Sequence, residues 1–270
     1  MTDERRSRSW TARATAAGRL LALALLVTTT TATALVGGAG SAGARPAAPQ
    51  SPTPQEAFII GLYRTVFGAG HPPDSAGLAY WSAQLDLGRP ATAVADHIAD
   101  TARAHALFVT ETYLADLGRT PDPLGLAHHR AGLDAGRDAL SVTADVLASR
   151  EDFARHGPRV NLYLDSLTLA LLGTGTIPGS AHEVQAWLDR LGDGTDAARR
   201  RRTVVALATT NQATRRAVHV AVGRACAPDF RWSAAEDTSL RAQWHAVGGN
   251  PLRLAAFAYV VVCPSYTAPA

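Results

Sequence analysis

The sequence predicts an all-α protein, built from tandem divergent three-helix modules packed as a helical repeat array, and three observations predict it. Apolar residues recur at the three-to-four-residue spacing of one helical face, and no segment alternates convincingly with the period of two that a half-buried strand requires. Thr, Ser or Asp stands before these segments and Gly after them, the residue types that start and stop helices. One segment is also present twice. Pro73 to Val94 reads PDSAGLAYWSAQLDLGRPATAV and Pro121 to Val142 reads PDPLGLAHHRAGLDAGRDALSV, with 12 of 22 aligned positions identical, so the two are read as copies.

In chain order, residues 1–44 read as a secretory signal peptide. Arg5, Arg6, Arg8, Arg13 and Arg19 precede an apolar stretch that begins at Leu20, and small residues end in Ala42-Gly43-Ala44, which places cleavage after Ala44. The alternative is an anchor retained through residues 20–40, about the 20 residues that a bilayer requires. Four consecutive threonines and three late glycines make that stretch a poor permanent span. Residues 45–53, RPAAPQSPT, form a Pro-rich linker that cannot pack a core.

The first module is assigned to residues 54–108. Thr53 is its N-cap, Pro54 takes the first helical position, Glu56 completes a capping box, and Phe58, Ile59, Leu62, Tyr63 and Val66 share one face. Its second helix is capped by Asp74. Apolar residues follow at +4, +7 and +11 (Leu78, Trp81, Leu85), and Gly88 at +14 is suited to a left-handed helix end. A third helix carries Val94 and Ile98. The second module, residues 109–157, repeats this with Val109, Tyr113 and Leu117, then Asp122, Leu126, His129, Leu133 and Gly136, then Val142 and Val146.

A diverged third module covers residues 158–210. Val160, Tyr163, Leu167 and Leu171 lead to Ser180, which forms a capping box with Glu183, and Val184, Trp187, Leu191 and Gly194 keep the same offsets. Val204, Val205 and Leu207 mark its last helix. Residues 211–270 form an atypical fourth module. Ser233 with Glu236 caps a helix bearing Leu240 and Trp244, Gly248-Gly249 ends it, and Asn250-Pro251 opens a final helix through Leu254, Ala258 and Val262. The caps at 74, 122, 180 and 233 are unevenly spaced, so the copies are divergent and do not make a strict solenoid. Cys226 and Cys263, an even pair in an exported chain, read as one disulfide; two buried free thiols are the alternative.

Leu62-Tyr63, Phe67-Gly68, Pro73-Asp74, Gly77-Leu78, Tyr80-Trp81, Leu85 and Gly88 resemble the bacterial family known as domain of unknown function 4214. Leu117-Gly118-Arg119-Thr120-Pro121-Asp122 matches the centre of its pattern closely, and Ser149 to Phe153 is similar to its end. The likeness covers residues 57–157 well and the C-terminal hundred only loosely. The first copy has a two-residue insertion between Gly68 and Asp74, and the second has His128-His129 in place of Tyr-Trp. The resemblance implies small helical modules in exported or surface-associated proteins and brings no catalytic residues.

Composition narrows the function classes. The net charge of +3 belongs to the leader, where five arginines meet Asp3 and Glu4; the remainder holds twenty-one basic and twenty-one acidic residues. Nucleic-acid binding therefore has no compositional support. Every basic residue is arginine, which excludes Schiff-base chemistry and a Walker A lysine.

Candidate sites meet simpler explanations. Asp74 and Asp122 precede helices and read as caps. Trp81 and Trp187 occupy core positions before they are sugar platforms. His128 and His129 diverge by about 100° around a helix and lack a third ligand, so no metal is expected. Gly173 to Gly179 resembles a phosphate loop but joins two helices rather than following a strand. Arg199, Arg200, Arg201 and Arg202 are the one basic run; spread around a helix and flanked by Asp193 and Asp196, they read as solvated, with contact to an anionic envelope polymer or lipid headgroup as the functional alternative. No nucleophile elbow is visible and no cofactor is implied.

The expectation is an exported, non-catalytic interaction protein with an unidentified protein or envelope-polymer partner, no nucleic acid, and no stable membrane span once the leader is removed. The first alternative is a secreted carbohydrate or envelope-polymer binder. The second is an enzyme with a divergent site in residues 158–270, which requires His182, Glu183 and Asp189, or His219 and His245, to converge.

Overall fold

Caps set the register of the helices. In the computed structural model Thr53, Ser180 and Ser233 each accept a hydrogen bond from the backbone N–H three residues on, while Glu56, Glu183 and Glu236 accept from the cap's own N–H. Asp74 accepts from the N–H of Gly77 at 2.6 Å and Asp122 from those of Leu124 and Gly125. All five expected caps are thus in place, each satisfying amides that a helix start leaves orphaned. The structure describes residues 51–156, 159–177, 179–228 and 230–263. The leader, residues 1–44, lies outside them, and of the 45–53 linker only residues 51–53 are described, exposed and non-helical.

The described residues form thirteen α-helices and no strand. Unit I is α1 (Pro54–Phe67), α2 (Ser75–Asp86) and α3 (Ala91–Ala99). Unit II is α4 (Ala102–Leu117), α5 (Pro123–Asp134), α6 (Ala139–Leu147) and the short α7 (Arg150–Arg155). Unit III is α8 (Val160–Leu172), α9 (Ala181–Leu191) and α10 (Ala197–Ala208). Unit IV is α11 (Asn211–Ala225), α12 (Ala234–Ala246) and α13 (Pro251–Val261). The boundary expected between residues 108 and 109 falls inside α4 and is corrected to Thr101, whose hydroxyl caps that helix by accepting from Ala104 N–H. Ala102-Arg103-Ala104-His105 carries little apolar periodicity, so the face becomes legible only further on.

Units I and II share fine detail. After α2 the N–H of Arg89 donates to Gln84 and that of Gly88 to Leu85; after α5 Arg137 and Gly136 donate to Gly132 and Leu133 in the same way. Both are Schellman ends with glycine at positive φ. Unit IV, expected to be atypical, ends α12 with the same pair of bonds, from Gly249 to Trp244 and from Gly248 to His245. Unit III departs: Gly192 ends α9 with a single bond to Leu188. The glycines of Gly-Leu sit close under the cap carboxylate and a tyrosine hydroxyl of the preceding helix: a Cβ on Gly77 would lie 3.1 Å from Asp74 and 3.4 Å from the Tyr63 hydroxyl, and one on Gly125 3.2 Å from Asp122 and 3.1 Å from the Tyr113 hydroxyl.

Packing is not that of a linear stack. Units follow one another in contact, with α4 on α1 and α3, α10 on α6, and α11 on α8 and α10; α13 then packs on α11, α3 and α1, so the last unit lies against the first. Residues 50–270 cluster as one unit. The largest core runs from Phe58 through Val146 and takes in Leu252, Ala256 and Tyr259 of α13. A disulfide between Cys226, at the end of α11, and Cys263, just past α13, holds this closure. Chain-entropy arguments make such a loop worth about 4 kcal/mol.

Tyr259 stacks on Phe58, their ring centroids 5.7 Å apart, and crosses α1 at Gly61, where a Cβ would lie 2.0 Å from the phenol oxygen. Gly61→Ala is expected to destabilise by about 1 to 3 kcal/mol through overpacking. Adding Tyr259→Phe should restore part of that loss, read by urea denaturation of both variants and the parent.

Candidate functional site: the junctions between units

Chemistry-bearing side chains collect where units meet. At the junction of units I, II and IV, His105 is buried at the start of α4 and faces a carboxylate on either side, Asp134 from Nδ1 at 2.7 Å and Asp100 from Nε2 at 3.1 Å. Arg253, in the first turn of α13, donates to both oxygens of Asp96 at 2.8 and 3.0 Å and approaches Asp100 at 3.3 Å. Arg130 approaches Asp134 at 3.5 Å. Asp96, Arg253, Asp100, His105, Asp134 and Arg130 thus form one continuous polar chain in which each acid alternates with a basic side chain. A polar cavity of about 340 Å³ lies beside it, lined also by Arg137 and Asp138. Its wall includes a backbone bond between units, from the N–H of Leu140 to the carbonyl of Gly248. Gly248 has φ +60, and a Cβ there would meet the Asp138 carboxylate at 2.5 Å.

Two further arginines fasten junctions. Arg200 is 3% exposed. Its guanidinium donates to the carbonyls of Ala148 (2.9 Å), Gly194 (2.7 Å) and Thr195 (3.0 Å), and lies over the ring of Phe153. Ala148 ends α6, so a cation there also meets the negative end of a helix. Arg224 of α11 donates to the carbonyls of Thr65 and Val66 at the end of α1 and holds both oxygens of Glu111 on α4.

The run Arg199 to Arg202 is therefore not one patch. Arg200 is buried and Arg201 binds Asp145 at 2.8 Å, so the solvated reading is corrected for these two: the turn of the helix aims them into the unit II contact. Arg199 and Arg202 are exposed and line a recess of about 200 Å³ together with Arg190, Asp189 and Thr203. Asp196 caps α10, and Asp193 accepts from Thr195. Sequence reasoning placed these acids only as neighbours of the arginines, because a cap and a charge partner look alike in a sequence.

The histidines do not converge. His129 is buried in the slot that Trp81 fills in unit I, its Nδ1 without a partner, and burial together with His128 pushes it below its ordinary value. His128 is exposed. Among the described residues no cluster of three or more His, Cys, Asp or Glu is arranged to hold a metal. His182 and Glu183 lie exposed at the start of α9, with Glu183 closed on Ser180, while Asp189 belongs to the arginine recess. His219 packs against Trp232 beside a cleft of about 490 Å³, and His245 is exposed at the end of α12 and outside that cleft. Neither set proposed from the sequence shares a cavity. Trp81 and Trp244 are buried and Trp187 and Trp232 are half-buried, Trp232 lining the cleft beside His219 together with Phe230. Gly173, in the glycine-rich connector, ends α8 at positive φ and lies under the guanidinium of Arg216.

A groove of about 300 Å³ opens where α4, α6, α8, α11 and α13 come together. Phe108, Trp244 and Ala213 form its buried floor, and Ala170, Arg216 and Val220 stand exposed at its rim. Asp116, on α4, is pushed up to about 7 by burial, with the nearby Asp152 adding to the effect. Sequence reasoning missed His105, Arg253, Arg224, Asp116 and Arg216; Arg224 and Arg253 act on partners more than 150 positions away in the chain.

No family model matches the chain, and neither do any curated protein or solved structure.

Two predictions follow from the buried charges. Arg200→Lys keeps the charge but loses the planar fork that reaches three carbonyls, and should cost about 2 to 4 kcal/mol. The exposed Arg202→Lys should stay within about 0.5 kcal/mol; calorimetric melting distinguishes them. Asp116 holds its proton in the folded chain at pH values where the unfolded chain has lost it, so its contribution to stability is present at low pH and is lost as pH rises through about 7. Asp116→Asn removes that loss. Relative to the parent it should gain stability between pH 4 and pH 8, by at most about 4 kcal/mol, in urea melts taken across that range.

Proposed function

We propose that the chain is an exported, non-catalytic helical interaction protein. One observation carries this reading: the groups best suited to acid–base chemistry, His105 with Asp100 and Asp134, are held in a continuous chain of hydrogen bonds and arginine–carboxylate pairs that ties units I, II and IV together. A histidine fixed between two carboxylates, one of them held in turn by Arg253, serves fastening better than proton transfer to a substrate. The signal-like leader and the disulfide support export, because disulfides persist in oxidising compartments. No described helix is long and apolar enough to cross a membrane. The resemblance to domain of unknown function 4214 over residues 57–157 is in keeping with a surface-associated helical module.

A second reading, a binder of anionic envelope polymer, is favoured by the recess at Arg190, Arg199 and Arg202. Among the described residues none of the three is in an ion pair within 4.0 Å, and only Asp189 offsets them in the recess. Guanidinium groups match phosphate and carboxylate oxygens in bidentate geometry. A culture secreting the full chain tests both readings. The expected product begins at Arg45 and is recovered with the cell envelope or bound to a protein. A chain that begins at Met1 and stays inside the cell would reject export. Replacing the three arginines with alanine should weaken envelope retention about tenfold if the partner is an anionic polymer, and should leave it unchanged if the partner is a protein docked elsewhere.

A further inference from the structure

The groove at the meeting of α4, α6, α8, α11 and α13 has three properties that point to a small ligand. It is an open space because its lining is small: Ala115, Ala170, Ala208, Ala213 and Ala217 stand where larger side chains would fill it. The lining is mostly apolar, with Phe108 and Trp244 in the floor. Two polar groups that are in no ion pair among the described residues line the same space from different helices, Arg216 exposed at the rim and Asp116 half-buried. Arg216 of α11 is in no ion pair among the described residues, although the carboxyl of Asp116 on α4 lines the same groove. The third charged group there, Glu111, is already taken by both terminal nitrogens of Arg224.

A guanidinium and a carboxyl that face one space without meeting leave room for an anion between them. A ligand carboxylate would accept from the guanidinium of Arg216 and, where Asp116 is protonated, from its O–H as well. We propose that this groove binds an amphipathic monocarboxylate, with its carboxylate between Arg216 and Asp116 and its hydrocarbon chain along the alanine-lined floor. At about 30 Å³ for each water-sized group, the volume suits a chain of roughly ten non-hydrogen atoms. The raised value of Asp116 strengthens the chemistry, since the acid is largely neutral below about pH 7 and can donate. The charged groups around it are Glu111 earlier on α4, Arg216 across the groove on α11 and Asp152 on α7. The inference goes beyond the proposed function and holds whichever surface partner the chain has.

Titration calorimetry of the purified chain with decanoate, below its micelle concentration, tests the site against 1-decanol and acetate. Saturable one-to-one binding of decanoate is expected, at least tenfold tighter than either analogue. Arg216→Gln should weaken it at least tenfold, and Ala170→Trp, an exposed substitution at the rim, should block it. Circular dichroism shows whether each variant is folded, and Ala170→Trp keeps the test decisive if Arg216→Gln is not. Affinity should fall from pH 6 to pH 8, and Asp116→Asn should flatten that dependence. The proposal is overturned by no saturable binding, by decanol binding as tightly as decanoate, by acetate matching it, or by folded variants that bind like the parent.

Discussion

The closure of α13 onto α1 and α3 is the contact on which the rest of the structure depends. Six of the eleven residues of α13 are Leu, Ala or Tyr side chains packed into one of two cores: Leu252, Ala256 and Tyr259 belong to that of units I and II, and Leu254, Ala255 and Ala258 to that of unit IV. Alanine at positions 255, 256 and 258 lets neighbouring backbones approach, as Gly61 does from α1. The helix is then fixed at both ends, by Asn250 and Arg253 at its start and the disulfide just past its finish. Helices hydrophobic on several faces are stable only when surrounded. Helix α13 therefore completes the first core while also closing that of unit IV, so unit IV is not free-standing.

Arginine supplies the polar half of the same task. Arg224 and Arg253 each reach across a junction with two or more nitrogens, Arg200 crosses with one while its other bonds stay in unit III, and Arg200 and Arg224 take backbone carbonyls at or near the ends of helices in other units. An ammonium is a point charge and cannot span such pairs of acceptors. The absence of lysine and the balanced charge of the chain after its leader are in keeping with this use. Apolar packing at a junction, joined to a fork that pairs specific carbonyls and carboxylates, fixes geometry where helix packing alone tolerates some 15–20° of scatter.

How much of this was legible depended on range. A cap and the amide it serves are three residues apart, so Thr53, Asp74, Asp122, Ser180 and Ser233 could be placed from the sequence, as could the glycine ends of α2, α5 and α12. The all-α class followed from the same local signals. Contacts across the chain left no local mark: Arg224 meets Thr65 and Arg253 meets Asp96 more than 150 positions away. Nothing near either arginine separates it from a solvated one. His105 was hidden for a related reason, lying in the polar first turn of α4 while the eye was drawn to the adjacent pair His128-His129. The run at Arg199 to Arg202 was visible as charge, yet the helix sorts its members into a buried clamp, an ion pair and two exposed groups.

Unit III shows why its divergence matters physically. In units I and II a tyrosine hydroxyl rests over the glycine at the third position of the second helix, which binds first and second helices closely. Ser180 and Glu183 make a capping box there, so the glycine is gone, and Tyr163 turns its hydroxyl to the carbonyl of Leu147 in unit II at 2.7 Å. The tyrosine changes from an internal strut to a tie between units. With that strut lost and the helix end reduced to one bond at Gly192, α9 keeps only Leu191 fully buried, and Trp187 is left half-exposed beneath Arg190. The ring of Trp187 and the guanidinium groups of Arg190, Arg199 and Arg202, which are in no ion pair among the described residues, thus lie near the surface of unit III.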